Sequence, residues 1–374
     1  MLVLTVNAGS SSIRLAAFRC EASGACAELA REAGARDARD RVALLRRFLR
    51  RVGAEGPDAV AHRVVHGGAR LVRSRRLDVY ARSEIERLAP LAPLHNPHTL
   101  QWVEACDELL GPEVAQVGVF DTAFYADLPD RARIYALPQE LAAEQVLRRF
   151  GFHGIAHRAL WRRWEGLHPH RQGKGRVISL QLGAGCSVTA TVDGRPLDTS
   201  MGFSPLEGLV MATRCGDLDP GVVIYLVRAL GLTPDQLEEL LNRRSGLLGV
   251  SGVSADMREL LASREPAAHR AIDLYCYRAR KYLGAYLAVM GGADAIVFGG
   301  GVGQHAPVVR AGILEGLQWA GVELDAARNS AAVGGEACIS RADSAVEAWV
   351  VPVDEAAVLA QEAMTVVQAQ GAAA

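Results

Sequence analysis

Two stretches of the chain share one pattern: an apolar strand, a corner of small residues, and a strand that returns. The first is Leu2-Val3-Leu4-Thr5-Val6, then Asn7-Ala8-Gly9-Ser10-Ser11-Ser12, then residues 13–18. The second is Val177-Ile178-Ser179-Leu180-Gln181-Leu182, then Gly183-Ala184-Gly185-Cys186-Ser187, then residues 188–192, closed by the turn pair Asp193-Gly194. Short apolar runs bounded by Gly and Ser read as strands joined by tight turns. Turn amides and hydroxyls can form a concave nest for an anion such as phosphate. One serine-rich corner by itself reads better as a plain hairpin turn. A second copy opening the other half points to a duplicated design, and two such corners facing each other would hold a polyphosphate. A length of 374 residues suits two domains, each with its own core.

The formal net charge of −1 argues against bulk binding to nucleic acid or a membrane surface. Of 41 basic residues only Lys174 and Lys281 are lysine, so a phosphate clamp in the first half must use arginine. The planar guanidinium suits that task, because it can meet a carboxylate or phosphate with two parallel bonds. Seven cysteines (20, 26, 106, 186, 215, 276, 338) form no Cys-x-x-Cys pair; the odd count and missing framework fit a reducing compartment. The opening apolar run is too short for a secretory signal, and no apolar run approaches the ~20 residues of a membrane span. The expectation is a soluble cytoplasmic protein.

Residues 21–34 read as a strand and turn on a sheet edge. Residues 40–52 form an amphipathic helix with Val42, Leu45, Leu49 and Val52 on one face and a solvated arginine face. Residues 59–70 read as a buried strand ending in His66-Gly67-Gly68. Arg63 lies inside it, where a charge is costly unless paired or met by an anionic ligand. A proline-punctuated loop, 90–98, leads to a helix from Thr99. His95 and His98 lack a third metal ligand at matching spacing, so capping and packing explain them better. Residues 116–120 form a strand, and Asp121 stands at its C-terminal edge, where α/β folds place active groups; capping of the next turn is the plain alternative.

Residues 148–157 read as a loop presenting His153, with His157 near the start of the next helix. The irregular stretch 201–220 carries Arg214, and a long irregular stretch in a compact domain is more often functional than idle. Further on, 234–241 is helical, 245–253 is a glycine-rich turn, and a helix starts at Asp256 with Ser254 as its cap. Residues 267–290 make a long helix and 295–298 a buried strand. Gly299-Gly300-Gly301-Val302-Gly303 follows, with a helix from Ala306, so a ligand can approach bare backbone there. The last strand is 349–353, with Asp354-Glu355 at its end before a terminal helix. No Gly-x4-Gly-Lys-Ser/Thr phosphate loop occurs.

Ordered together, several motifs resemble the acetate kinase family, within the acetate/sugar kinase, heat-shock protein and actin superfamily. They are Asn7-Ala8-Gly9-Ser10-Ser11-Ser12, His62-Arg63-Val64-Val65-His66-Gly67-Gly68, Pro93-Leu94-His95-Asn96-Pro97 and Phe120-Asp121-Thr122-Ala123-Phe124. Gly151-Phe152-His153-Gly154, Ser200-Met201-Gly202-Phe203-Ser204-Pro205-Leu206-Glu207-Gly208 and Thr213-Arg214-Cys215-Gly216 complete the set. The resemblance implies an α/β fold of two duplicated actin-like, ribonuclease H-like domains with a central cleft between them. Residues 1–123 plus 356–374 would form the N-terminal domain on the carboxylate and phosphate side. Residues 124–355 would form the nucleotide-binding, dimerising C-terminal domain.

The activity implied is reversible transfer of a phosphoryl group from ATP to acetate, with magnesium, or manganese in its place, and ATP or ADP as co-substrate. Carried over by motif, Asn7 and Glu355 resemble the metal-organising positions, and Arg14 stands where the family usually has lysine near the phosphates. Arg63 and Arg214 would grip the carboxylate and the transferring phosphoryl, His153 would stabilise the transition state, and Asp121 resembles the acid/base position. Acetate is already ionised at neutral pH, so a proton-transfer role for Asp121 is not needed; holding a metal-bound water or orienting an arginine fits better. Val65, Leu94, Phe152 and Pro205 match the pocket for the acetate methyl, which discriminates extra methylenes by only ~1–3 kcal/mol each.

The departures cluster on the nucleotide side. Gln181-Leu182-Gly183-Ala184-Gly185 replaces the usual His-Leu-Gly-Asn-Gly, and Gly301-Val302-Gly303-Gln304-His305 replaces Gly-Ile-Gly-Glu-Asn. Asp256-Met257-Arg258 keeps the adenosine-side acid and arginine. ATP stays the first choice of donor, with another phosphoryl donor as the alternative. A propionate or butyrate kinase, and a nucleotide-binding regulator with weakened turnover, are the competing readings. The resemblance also implies a homodimer, with no nucleic-acid or membrane partner.

Overall fold

The computed structural model describes residues 1–9, 12–35, 40–53, 56–93, 95–144 and 146–371. Ser10 and Ser11 of the first corner and Leu94 of the expected methyl pocket lie outside the described residues. The chain divides into two compact units. The first comprises Met1–Ala126, Phe152–Ile155 and Asp354–Ala374; the second comprises Asp127–Gly151 and Ala156–Val353.

In the first unit, β1 (Leu2–Ala8), β2 (Ser12–Cys20), β3 (Cys26–Ala35), β4 (Ala59–Val64), β5 (Arg75–Arg76) and β6 (Ala115–Phe120) form one sheet in the order β3-β2-β1-β4-β6-β5. β1, β2 and β3 pair antiparallel; β1, β4 and β6 run parallel; β5 closes the edge antiparallel. The buried runs of β4 and β6 are what a parallel strand covered on both faces requires. One face carries helices Arg41–Val52 and Asn96–Leu110, whose Leu45, Phe48 and Trp102 pack against Leu4, Val6, Leu15 and Val60. The helix Glu355–Gly371 packs against β1, β4 and β6 and buries Val358, Leu359 and Ala363.

The second unit repeats this plan. β7 (Arg176–Leu182), β8 (Cys186–Val192), β9 (Arg195–Thr199), β10 (Ala295–Gly299), β11 (Ala337–Cys338) and β12 (Glu347–Val350) follow the order β11-β12-β10-β7-β8-β9. Here too an antiparallel triplet (β7, β8, β9) adjoins a parallel triplet (β7, β10, β12) with an antiparallel edge strand. Strand for strand, β1 to β6 correspond to β7 to β12. The duplication expected from the two corners is therefore present as topology. Leu160, Trp161 and Trp164 cover one face over Val177, Ala295 and Val297, and the helix Pro266–Met290 packs on β7 and β8.

Several expected boundaries move. The helix expected from Thr99 begins at Asn96, because Pro97 is tolerated in a first turn whose N–H groups have no intrahelical partner. The glycine-rich turn at 245–253 contains a short helix, Gly246–Ser251. The next helix, Met257–Ala262, is capped by Asp256 rather than Ser254: the carboxylate accepts the Arg258 N–H, while Ser254 Oγ accepts the Asp256 N–H. A helix already runs over Gly300–His305 before the one expected from Ala306, which spans Pro307–Leu314. The last strand is Glu347–Val350; the Val351 N–H makes one further bond to Phe298, and Pro352 has no N–H to continue the ladder. The cysteines also depart from expectation. Cys20 and Cys26, directly opposed on β2 and β3, form a disulfide, and Cys106, Cys186, Cys215, Cys276 and Cys338 are free.

Candidate active site

The C-terminal ends of three neighbouring parallel strands bring the first group of residues together. Asn7 is near the end of β1, Arg63 is the penultimate residue of β4, and Asp121 directly follows β6. Glu355, the first residue of the final helix, joins them. Arg63 Nε and Nη2 donate to Asp121 Oδ2 at 3.1 and 2.8 Å. Its Nη1 donates to Asn7 Oδ1 at 3.3 Å and lies 3.6 Å from Glu355 Oε2. Asn7 Nδ2 in turn donates to Glu355 Oε2 at 2.6 Å.

This cluster has the charge pattern of a clamp. Burial opposes a charge on Arg63, but Asp121 and Glu355 outweigh it and hold the guanidinium firmly protonated. Burial pushes the Asp121 carboxyl up against the pull of Arg63. Asp121 is completely buried, and its Oδ1 has no hydrogen-bond partner among the described residues. It does not cap the turn that follows. Its Oδ2 instead takes both bonds from the arginine fork and fixes its plane.

His153 sits beside this cluster in a left-handed backbone conformation (φ 56°), just before the helix Gly154–Leu167. A Cβ at Gly154 would lie 2.0 Å from the Asp121 carbonyl oxygen, so only glycine lets the two segments approach. Phe152 is buried; its carbonyl accepts the Tyr125 hydroxyl at 3.0 Å and its ring meets the edge of His66. Val65 is buried as well. Arg14 is exposed on β2 directly opposite Asn7, which places it on the same face of the sheet.

The second unit holds the remaining candidates. Arg214 Nη1 donates to the Pro205 carbonyl at 3.0 Å, which ties two points within the irregular stretch. The corner Gly183-Ala184-Gly185 is linked to the same stretch by Ala212 N–H to the Ala184 carbonyl at 3.0 Å. Gln181 lies opposite Gly299 of β10, which brings the corner beside helix Gly300–His305. Gly300 has φ 76°, and a Cβ there would stand 2.4 Å from the Leu182 carbonyl oxygen. The Gln181 amide oxygen is buried and has no hydrogen-bond partner among the described residues. Leu182, Gly183, Ala184, Gly185, Gly301, Val302, Gly303, Gln304 and His305 thus belong to two adjoining segments. Asp256 and Arg258 pair with each other on the surface, Arg258 holding the Asp256 carboxyl down to about 2, and Met257 is buried beneath them. No described hydrogen bond joins that pair to the corner.

A clamp that sequence reasoning missed supports Pro205 and Arg214. Arg149 pairs with Glu207 at 2.6 Å and donates to the Thr199 and Ser200 carbonyls, while the Tyr135 hydroxyl bonds Glu207 and accepts the Phe203 N–H. The available signal was a lone acid, Glu207, inside a glycine-rich run that also demands a buried partner.

The acetokinase family profile matches residues 43–361. The chain belongs to the acetokinase family. It is 47% identical over 308 residues to an acetate kinase of Solibacter usitatus, covering 81% of this chain and 74% of that one. An acetate kinase of Dictyoglomus turgidum is 46% identical over 313 residues, covering 83% and 77%. Among solved structures, Porphyromonas gingivalis acetate kinase superposes with a TM-score of 0.87 at 35% identity, over 98% of this chain and 99% of that one. A propionate kinase from Francisella tularensis superposes with a TM-score of 0.86 at 33% identity, over 97% and 99%. The acetokinase family comprises kinases with a carboxylate acceptor, so the fold and the phosphotransferase class expected from the motifs agree with these matches.

Proposed function

We propose that the chain catalyses reversible, magnesium-dependent phosphoryl transfer from ATP to acetate, giving acetyl phosphate and ADP. The observation that carries this reading is the Arg63 fork, pre-aimed by Asp121, Asn7 and Glu355 at the ends of three parallel strands. A carboxylate oxygen of acetate attacks the γ-phosphorus, the bond to the bridging oxygen breaks, and its electron pair leaves with ADP. Acetate arrives ionised, so no base is required. Equatorial oxygens of the transferring group gain negative character, and positioned cations lower the barrier.

We assign Arg63 to the acceptor carboxylate, Arg214 and His153 to the transferring phosphoryl, and Asp121 to aligning Arg63. Val65, Leu94, Phe152 and Pro205 take the methyl. Arg14, residues 181–185 and residues 301–305 serve the nucleotide phosphates and the rest of the nucleotide, with Asp256, Met257 and Arg258 on the adenosine side.

Magnesium fits the donors present. The Asn7 amide oxygen and the Glu355 carboxylate are oxygen ligands of the kind it takes, with the Asp121 carboxylate beside them. Among the described residues no cluster of three or more His, Cys, Asp or Glu forms a full cage, which suits an ion completed by water and substrate phosphates. When bound, the ion would neutralise phosphate charge.

A propionate acceptor is the second reading, favoured by the likeness to a propionate kinase structure; butyrate would extend the same pocket. Self-association fits the helix Pro220–Leu230, which buries none of its residues in its own chain and exposes Val222, Ile224, Tyr225, Val227 and Leu230. An ATP-dependent reaction assigns the protein's work to the cytoplasm; no described helix is long and apolar enough to cross a membrane. The test is hydroxylamine trapping of acyl phosphate with magnesium, ATP and acetate, propionate or butyrate in turn, pyrophosphate replacing ATP in parallel. A strong signal with ATP and acetate is expected. No signal with any acid and ATP overturns the reading, leaving a different donor if pyrophosphate works and a binding protein if it does not.

A further inference from the structure

Arg310, on helix Pro307–Leu314, is the one arginine among the described residues that the fold buries completely. No described carboxylate lies within ion-pair reach of it, and burial alone bears on its ionisation, pushing the guanidinium down to about 10, so it stays protonated at neutral pH. An unpaired buried charge is costly, and it persists where every donor is met. Here all five are. Nε donates to Asn329 Oδ1 at 2.9 Å. Nη1 donates to the Gly303 carbonyl at 2.7 Å and the Gln304 carbonyl at 3.2 Å. Nη2 donates to the Asn329 and Ala332 carbonyls, both at 2.7 Å.

These acceptors belong to two segments. Gly303 and Gln304 lie in the last turn of helix Gly300–His305, where carbonyls lack intrahelical partners and the dipole favours a cation. Asn329 and Ala332 lie on and just after helix Ala326–Ala331. Asn329 completes the tie by donating from Nδ2 to the Pro307 carbonyl at 2.9 Å, and the Gly334 N–H reaches the Gln304 carbonyl at 3.1 Å. At its other end, helix Gly300–His305 starts hard against Leu182 through Gly300. The glycine-rich segment is thus pinned at both ends, by a backbone close approach and by a guanidinium.

We propose that Arg310 is a positioning residue for nucleotide binding: its five donors fix the last turn of helix Gly300–His305 against residues 329–332, and so hold the backbone of 300–303 in the conformation that receives the nucleotide. This rests on the assignment of residues 301–305 to the nucleotide. A purely apolar anchor would fill the volume but leave the Gly303 carbonyl, which faces Pro307 instead of an N–H four residues on, without its donor, so the segment would rotate to find a partner.

The test uses the full chain and two variants, Arg310→Lys, which keeps the charge but has three donors, and Asn329→Ala, which removes one acceptor and leaves Arg310 in place. Binding of Mg–ADP is measured by calorimetry, and KM is measured separately for ATP and acetate. The expected result is ADP binding weakened at least about tenfold in both variants, the equivalent of one or two lost charge-assisted hydrogen bonds, with the acetate KM unchanged within about twofold. ADP affinity within about twofold of the parent chain in a folded variant overturns the proposal, as does a parallel rise of both KM values. If Arg310→Lys does not fold, Asn329→Ala decides the matter alone. If the parent chain itself takes up no ADP, the nucleotide assignment fails first and the proposal falls with it.

Discussion

Arg63 is expensive where it stands, and its neighbours show what the expense secures. A guanidinium free to swing would meet a small carboxylate in many orientations; one held by two bonds to a single carboxylate oxygen meets it in few. Preorganisation of that kind is where much of a phosphoryl-transfer rate comes from. Asp121→Asn leaves the shape almost intact but turns one oxygen into an NH2 group and removes the charge that holds Arg63. We expect kcat to fall by about 100-fold or more at saturating magnesium, with the whole pH–rate profile lowered and neither limb lost. A variant that keeps most of its activity would end the aligning role, and loss of one limb would restore proton transfer. Arg63 itself was legible in the sequence, because a charge inside an apolar strand asks for a partner. That its partner is Asp121, 58 residues away, was not, since pairing between strands is set by the sheet and not by spacing.

At the scale of elements, the strands were the most readable part and the short helices the least. β1, β4, β6, β7 and β10 are apolar runs with glycine or polar ends, and each begins at or next to where its composition put it, although β4 ends at Val64 and does not fill the expected 59–70 run. Helices Gly246–Ser251 and Gly300–His305 are glycine-rich, so propensity argued against them, and tertiary ties such as the Arg310 guanidinium decide their form. Helix Gly154–Leu167 has a similar constraint at its first residue. Gly154→Ala pushes a methyl group into the Asp121 carbonyl, and a shift of about 1 Å at a catalytic group can cost about 100-fold in kcat. Steady-state kinetics on a variant with an unchanged circular dichroism spectrum would register this, and a variant with wild-type turnover would contradict it. The hairpin bridge was invisible to motif reading, because Cys20 and Cys26 are six apart with no family framework. Denatured, unreduced protein should show five titratable thiols and reduced protein seven. Replacing both cysteines by serine should cost about 2 kcal/mol or less in a urea melt and leave kcat alone; seven thiols without reductant would count against the bridge.

On the whole molecule, two buried histidines set the acid limit. Among the described residues His62 makes one side-chain hydrogen bond, with the Gln116 amide oxygen at 2.7 Å, and burial lowers its pKa to about 4. His157 is held between the Ser179 and Ser187 hydroxyls and is lowered to about 3, again by burial. Unfolded, both take up protons near pH 6.5; folded, they do not until the pH is far lower. Between those values the unfolded chain binds more protons, so stability falls as the pH drops from about 6.5 toward 4, by roughly 3 kcal/mol from His62 alone near the lower end. Each histidine lies in a different unit, so both should weaken together. A melting temperature that stays flat from pH 7 to 5 would refute this.

The scarcity of lysine has a consequence for an enzyme whose product is an acyl phosphate. Such a product transfers its acyl group to unprotonated amines, and a guanidinium, charged at any physiological pH, does not accept it. Lys174 sits on the surface paired with Asp193, and Lys281 is exposed on the helix Pro266–Met290; neither belongs to either group of candidate site residues. With arginine at position 14 as well, the site offers its own product no lysine to acylate, so incubation with acetyl phosphate should leave turnover intact while mass spectrometry finds at most these two side chains modified.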